Sequence, residues 1–410
     1  MREVSNFFHR RPRSTRAGVA GLTIAGLAML SGCAPSTSTE PTALPACVAR
    51  TVSEATPADG ALFGVNPDWG DRTLGQYANL LGHNPAVAVS FANVPLSAAD
   101  EENVRAAGEQ VRGVGGILLL TLEPQQGLAA VTDTVAADVA ALVDDVQQTG
   151  APVIVRFAHE MNGSWYAWGQ QPMEYIASFR RVADALRAGA PGSAMMWAPN
   201  EGGGYPFVGG SAAAVPGTEA FALLDTDGDG VLTIADDPYA PYYPGDDVVD
   251  WVGMSLYHWG AQHPWGANVL PEPEKFALQL TGEYVGTDGD QTAVPDFYGV
   301  YGVEHGKPVA IPETAALVVP RGDDAGERAI KQVWWSQVFS DETATRFPQL
   351  RMINWFEWDK DEVEVGERVD WTVLNDPTTR DAFTADLPDW LHFAEAPKPC
   401  AAPGAPTGSE

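Results

Sequence analysis

Eight short apolar runs recur along the middle of the chain, at about Leu62 to Val65, Ala86 to Ser90, Gly116 to Leu120, Val153 to Phe157, Ala194 to Trp197, Trp251 to Ser255, Pro308 to Ile311 and Arg351 to Ile353. Each has the length of a strand, and amphipathic segments lie between several of them. Val135, Val139, Leu142, Val143 and Val146 fall at helical spacing, as do Tyr175, Phe179, Val182 and Leu186, and Ile330, Val333, Trp334 and Val338. Strands that alternate with helices imply parallel pairing, so the chain belongs to the α/β class. Eight such units suggest one closed (β/α)8 barrel, the TIM-barrel architecture, in a single domain. A doubly wound open sheet is the alternative, because periodicity does not show closure. The long intervals after the fifth and sixth runs should hold loop insertions.

The amino terminus reads as an address. Arg2, Arg10, Arg11, Arg13 and Arg16 precede an uncharged apolar run from Ala17 to Leu30, too short to span a bilayer as a stable helix. Residues 1–32 therefore read as a signal peptide, and the sequence Leu30-Ser31-Gly32-Cys33 resembles a bacterial lipobox, in which Cys33 is lipidated. Residues 33–46 form a Ser/Thr/Pro-rich tether, 47–400 the folded domain and 401–410 a disordered tail. On this reading the protein is exported and touches membrane only through its lipid anchor. Cys47 and Cys400 then flank everything that looks folded, and an oxidising compartment permits them to pair. Closing so long a loop stabilises by roughly 5 kcal/mol in the loop-entropy picture.

Charge narrows the partners. The full chain carries 54 Asp+Glu against 24 Lys+Arg. Residues 1–32 hold five Arg and one Glu, so the exported chain keeps 19 basic and 53 acidic residues, a formal charge of −34. Such a chain lacks the basic face that a phosphate backbone requires, which excludes nucleic acid and disfavours polyanionic substrates.

A barrel carries its chemistry just beyond the carboxyl ends of its strands. After the fourth run comes Arg156-Phe157-Ala158-His159-Glu160, followed by Met161-Asn162-Gly163-Ser164-Trp165-Tyr166-Ala167-Trp168. A zinc-protease helix would need a second His four residues after His159, and position 163 is Gly. After the seventh run comes Pro312-Glu313. Two carboxylates on one rim are what glycosidic cleavage needs: one protonates the leaving oxygen while the other attacks or stabilises the sugar carbon. Two rim salt-bridge partners would look the same at this level.

The segments RFAHEMNGSWYAWG, MMWAPN, YYPGDDVVDWVGMSLYHWG, KPVAIPE and INWFEWD, in that order, resemble glycoside hydrolase family 26, best known for β-mannanases. The resemblance runs from about Leu62 to Trp371. It implies a retaining glycosidase with Glu160 as general acid/base and Glu313 as nucleophile, which needs no cofactor for catalysis and acts on a neutral polysaccharide such as β-1,4-mannan; the protein is expected to be a monomer. Another β-glycan, or a catalytically silent carbohydrate-binding lipoprotein, are the alternatives. His159 stands where most of the clan has Asn, Tyr257 would lie close to Glu313, and Trp355 would form the apolar floor under the sugar. Retention needs the two carboxyl groups about 5–5.5 Å apart. A partly desolvated setting from Trp165 and Trp168 would keep Glu160 protonated, and Arg156 or Tyr257 would keep Glu313 ionised.

Sugar rings pack well on indole, which makes Trp165 and Trp355 candidate platforms, with Trp259 and Trp265 behind them. Asn200, Gln170 and His258 are candidate partners for hydroxyls, Glu123 a structural or polar subsite residue, and Trp197, Trp334 and Trp335 core. Separately, Asp225-Thr226-Asp227-Gly228-Asp229-Gly230-Val231 through Asp236 matches a calcium loop, with acids at positions one, three, five and twelve and the Val231 carbonyl at seven. This predicts one structural Ca2+ held by Asp225, Asp227, Asp229, Val231 and Asp236.

Overall fold

The expected strands are built from residues that bury both faces, as parallel strands under helices must. Ile-Leu-Leu-Leu-Thr-Leu-Glu, for example, is buried at every position of its strand. The computed structural model describes residues 49–287 and 289–397. The signal peptide, Cys33, the tether, Cys47, Cys400 and the tail therefore lie outside the described residues.

The eight strands are β1 (Ala61–Pro67), β2 (Val87–Asn93), β3 (Ile117–Glu123), β4 (Val153–Phe157), β5 (Ala194–Trp197), β6 (Trp251–Gly253), β7 (Val309–Thr314) and β8 (Leu350–Glu357). Each pairs in parallel with the next, and β8 pairs with β1 from Leu62↔Met352 to Pro67↔Glu357. That last ladder closes the sheet and decides for the (β/α)8 barrel over an open one.

Side chains alternate across the strands. Leu62, Val87, Val89, Leu119, Ile154, Met196, Trp251 and Met352 fill the barrel interior. Their neighbours Phe63, Val65, Leu118, Leu120, Val155, Ile311, Ile353 and Trp355 belong to the larger core shared with the helices.

The first four crossovers hold α1 (Leu74–Leu81), α2 (Ala98–Val114), α3 (Asp133–Thr149) and α4 (Pro172–Gly189). Thr73, Ser97 and Thr132 cap the first three amino ends with their hydroxyls, and left-handed Gly82, Gly115 and Gly150 end them. On α3 the periodic Val139, Leu142, Val143 and Val146 are buried, as are Tyr175, Phe179, Val182 and Leu186 on α4. Two further helices, α5 (Asp324–Val338) and α6 (Pro377–Asp386), follow β7 and β8. The insertion after β5 contains the short helix Glu219–Leu224 and the acidic loop; that after β6 contains Lys275–Leu280 and the wide helical segment Tyr298–Glu304. A polar hairpin, Asp359–Glu362 with Glu367–Asp370, extends the rim beyond β8. Its charged residues carry no apolar periodicity, so no sequence pattern announced it. Among the described residues no helix is long and apolar enough to cross a membrane.

Candidate active site

At the end of β4 the chain turns sharply through Ala158 and Glu160, both left-handed at φ 47° and 54°. A side chain in this region costs about 1 kcal/mol or more, so neighbouring structure must hold it. Here the Ala158 amide donates to the Leu122 carbonyl at 2.8 Å and the Glu160 amide to the Ala198 carbonyl at 2.9 Å. The turn is thus tied to the ends of β3 and β5, and Glu160 projects over the rim.

Trp165 folds back to donate its indole N–H to Glu160 Oε2 at 3.1 Å. Gly163 makes this fold possible, since a Cβ there would lie 2.4 Å from the Trp165 ring. Trp168 is fully buried, stacks on Tyr166 at 4.4 Å and donates to the His159 carbonyl at 2.7 Å. It braces the turn and does not line the cleft.

Glu313, near the end of β7, receives two donors. Arg156 Nη1 reaches Oε1 at 2.5 Å and the Tyr257 hydroxyl reaches Oε2 at 2.7 Å. Arg156 comes from β4, is fully buried and also donates to Ser255 Oγ at 2.8 Å. One guanidinium inside the barrel therefore links the strands that carry the two carboxylates.

The two carboxylates sit in unlike surroundings. Glu313 is paired with a fixed cation, whereas Glu160 is pushed up to about 7, chiefly by burial and then by the negative charge of Glu313. Arg156, Ser255 and the Trp165 N–H oppose that rise. The raised value therefore comes from desolvation of the whole rim, and Trp165 works against it. A third carboxyl, Glu123 at the end of β3, is also buried and pushed up to about 7, by burial and by the charges of Glu313 and Glu160, against its bond from Gln125. His159 lies between Phe91, Tyr166 and Trp168, and burial beside Arg156 holds it neutral, well below the ordinary histidine range.

Among the remaining candidates, Asn200 bridges to Ser255 and takes a hydrogen bond on its backbone from Asn162, which holds the β5 and β6 ends together. Trp259 packs edge-on against Trp371 and beside Trp265. Gln170 and His258 are buried: Gln170 bonds the Pro206 carbonyl and Ala214 amide, and His258 Nε2 meets the Val269 carbonyl while its Nδ1 is unbonded.

Trp355 is a correction. It is fully buried, its ring packs on Phe339 and Phe383, and its N–H donates to the Trp371 carbonyl. It lies on the helix-facing side of β8 and is no floor for a sugar. Because strand residues alternate, its neighbour Phe356 faces the rim instead, against Tyr257 at 5.8 Å, and Trp358 stacks on Phe356 at 6.0 Å. Counting by two along INWFEW from Met352, which lies in the barrel interior, would have selected Phe356.

The acidic loop brings together part of its predicted set. Carboxylate oxygens of Asp225, Asp227 and Asp229 lie within 4.8 Å of one another. Asp236, expected as the twelfth-position ligand, is fully buried and turned to the loop's own amides. Its Oδ1 accepts from Thr226 at 2.7 Å and its Oδ2 from Thr233 at 2.8 Å. It closes the loop, and the geometry groups three carboxylates rather than five ligands.

Residues 122–202 match the model of glycosyl hydrolase family 26. That stretch runs from the end of β3 through the Glu160 turn to the end of β5. The chain is similar to endoglucanase H of Acetivibrio thermocellus, at 25% identity over 217 residues that cover 51% of this chain and 20% of the relative. It thus spans about a fifth of that protein's length. The catalytic domain of a Bacillus sp. JAMB-750 endo-β-1,4-mannanase superposes with a TM-score of 0.51 at 19% identity, covering 88% of this chain and 96% of that one. A modular endo-β-1,4-mannanase from Cellulomonas fimi gives 0.53 at 18%, covering 87% and 80%. At these identities the structural likeness establishes the shared barrel.

Proposed function

We propose that this chain is a member of glycosyl hydrolase family 26, a retaining endo-β-glycanase acting on β-1,4-mannan-type polysaccharide. The observation that carries the reading is the opposed setting of two rim carboxyls, Glu313 ion-paired to buried Arg156 and Glu160 held up to about 7. Glu160, protonated, gives its proton to the glycosidic oxygen as Glu313 attacks the anomeric carbon, so the C–O bond to the leaving sugar breaks and a glycosyl ester forms. Glu160, now ionised, takes a proton from water, whose oxygen bonds the anomeric carbon and releases Glu313. Tyr257 and Arg156 hold the attacking oxygens, and Trp165 fixes the rotamer of Glu160.

Reducing-sugar release from mannan, glucomannan, xylans and lichenan tests this directly. Activity on mannan that is lost in folded Glu160→Ala and Glu313→Ala supports it; full activity in either variant, or none in the wild type, overturns it. The similarity to a protein named endoglucanase favours a second reading, a β-glucan as substrate, which strongest release from lichenan would select.

The basic and apolar leader before Cys33 supports export and lipid anchoring, export permits a Cys47–Cys400 disulfide, and intact mass before and after reduction checks both modifications. For the acidic loop we infer one structural Ca2+ with Asp225, Asp227 and Asp229 as its carboxylate ligands.

A further inference from the structure

Residues 161–170, which follow Glu160, are stitched to residues 205–214 of the insertion after β5. Ser164 Oγ donates to the Phe207 carbonyl and accepts from the Gly210 amide at 3.2 Å, while the Ser164 carbonyl accepts from the Ala212 amide at 2.9 Å. Gln170 Nε2 donates to the Pro206 carbonyl at 2.8 Å, and its Oε1 accepts from the Ala214 amide at 2.7 Å. Ser164 and Gln170 are both buried, so water does not compete for these bonds. The two stretches lie flush, since a Cβ at Gly210 would stand 2.2 Å from the Ser164 carbonyl oxygen.

This stitching holds an aromatic ring in a strained place. Phe207 is left-handed at φ 53°, as are Gln170 at 49° and Ala158 and Glu160 on the turn itself. Such a conformation costs of order 1–3 kcal/mol and persists only where the surroundings over-determine it. Val208, the next residue, is exposed, so apolar character does not by itself draw the segment inward. What the strain secures is a contact: the Phe207 ring meets the Trp165 indole edge to face at 5.1 Å, with Tyr205 against Phe207 at 5.9 Å. Trp165 is half-buried, and its N–H is the donor held on Glu160 Oε2. A half-buried indole gains rotamer freedom by leaving that position, and the Phe207 ring stands against it.

We propose that residues 205–214 form a clasp for the general acid, with Phe207 as a positioning residue that keeps Trp165 on Glu160. The proposal deepens the glycanase reading above and rests on it. An indole N–H donated to Oε2 leaves the transferable proton to Oε1, so the clasp fixes which oxygen serves the leaving group.

The test measures Phe207→Ala, Phe207→Tyr, Trp165→Phe and the double variant Phe207→Ala/Trp165→Phe. The substrates are mannohexaose and 2,4-dinitrophenyl β-mannobioside, whose leaving group needs no proton, or the matching glucoside pair if lichenan is the better polymer. For Phe207→Ala, kcat/KM on the hexaose divided by that on the aryl glycoside should fall about tenfold, part of the ~10²–10⁴ that a general acid supplies. The Trp165 N–H lowers the pKa of Glu160, so its departure should move the basic limb of the kcat/KM–pH profile to higher pH. Trp165→Phe deletes that N–H and should move the limb the same way, and the double variant should move it no further. Phe207→Tyr keeps the ring and should restore the wild-type ratio and limb. If Phe207→Ala does not fold, Phe207→Leu, which keeps apolar bulk without a ring, carries the same comparison. A ring that only packs the insertion would lower the melting temperature with the limb unmoved, and one that only meets sugar would raise KM with the limb unmoved. Either result overturns the clasp and leaves the glycanase reading intact. Wild-type protein that cleaves no β-glycan removes that reading, and the clasp's role with it.

Discussion

The electrostatic link between the two rim carboxyls can be measured by replacing one of them. Glu313→Gln keeps shape and removes a negative charge, and it leaves the fully buried Arg156 without its counter-ion. Both changes act on Glu160 in the same direction, because Glu313 raises its pKa and Arg156 lowers it. The rise from 4.5 to about 7 corresponds to roughly 3 kcal/mol against ionisation. Burial is the largest cause and persists in the variant, so the carboxyl does not return to its ordinary value. Removing the Glu313 charge should therefore bring the pKa of Glu160 part of the way from about 7 toward 4.5, a change smaller than that roughly 3 kcal/mol. Carbon-13-detected titration of the glutamate carboxyls reads this directly, with Glu160→Gln identifying the resonance. An unchanged or higher pKa in Glu313→Gln would refute the coupling and leave burial alone as the cause of the raised value.

Other expectations follow from the same geometry. Glu123, Glu160 and Glu357 are all buried and held at about 7 against an ordinary 4.5, so between those values the folded state binds more protons than the unfolded one. Their contribution to stability is full below pH 4.5 and is lost as pH rises through about 7, so the melting temperature should be higher at pH 5 than at pH 8, and Glu357→Gln should flatten that slope. Tyr257→Phe deletes the 2.7 Å bond to Glu313 and should lower kcat about 10- to 100-fold with little change in urea unfolding; wild-type turnover would contradict its placement. Trp355→Ala should cost about 3–5 kcal/mol in urea unfolding, as a core truncation, whereas Phe356→Ala should raise KM; the reverse pattern would restore Trp355 to the cleft. Ca2+ should raise the melting temperature of the wild type relative to EGTA, and Asp227→Asn should abolish the difference.

Much of this was legible in the chain. Parallel strands buried on both faces are continuous apolar runs, and all eight barrel strands fall on the runs read from sequence. Glu160 and Glu313 stand at strand ends, where a barrel presents its chemistry, and the family resemblance of the segments around them singled out these two carboxylates. The calcium-like spacing around Asp225 was equally visible.

Errors arose where facing mattered. Trp355 and Phe356 are adjacent in INWFEW, and only strand register decides which one meets the helices. Asp236 has a ligand's spacing, yet the folded loop offers it amides from Thr226 and Thr233 that the sequence does not display.

The sequence by itself determined the alternation of strands and helices, the acidic surface and the two strand-end carboxylates, because these follow from local periodicity and position. Barrel closure, the Arg156–Glu313 pair across the interior, the raised pKa of Glu160 and the contact of Phe207 with Trp165 were decided only by tertiary structure. Arg156 and Glu313 stand 157 residues apart, and desolvation depends on everything packed around a group, so neither effect is written in any local stretch of chain.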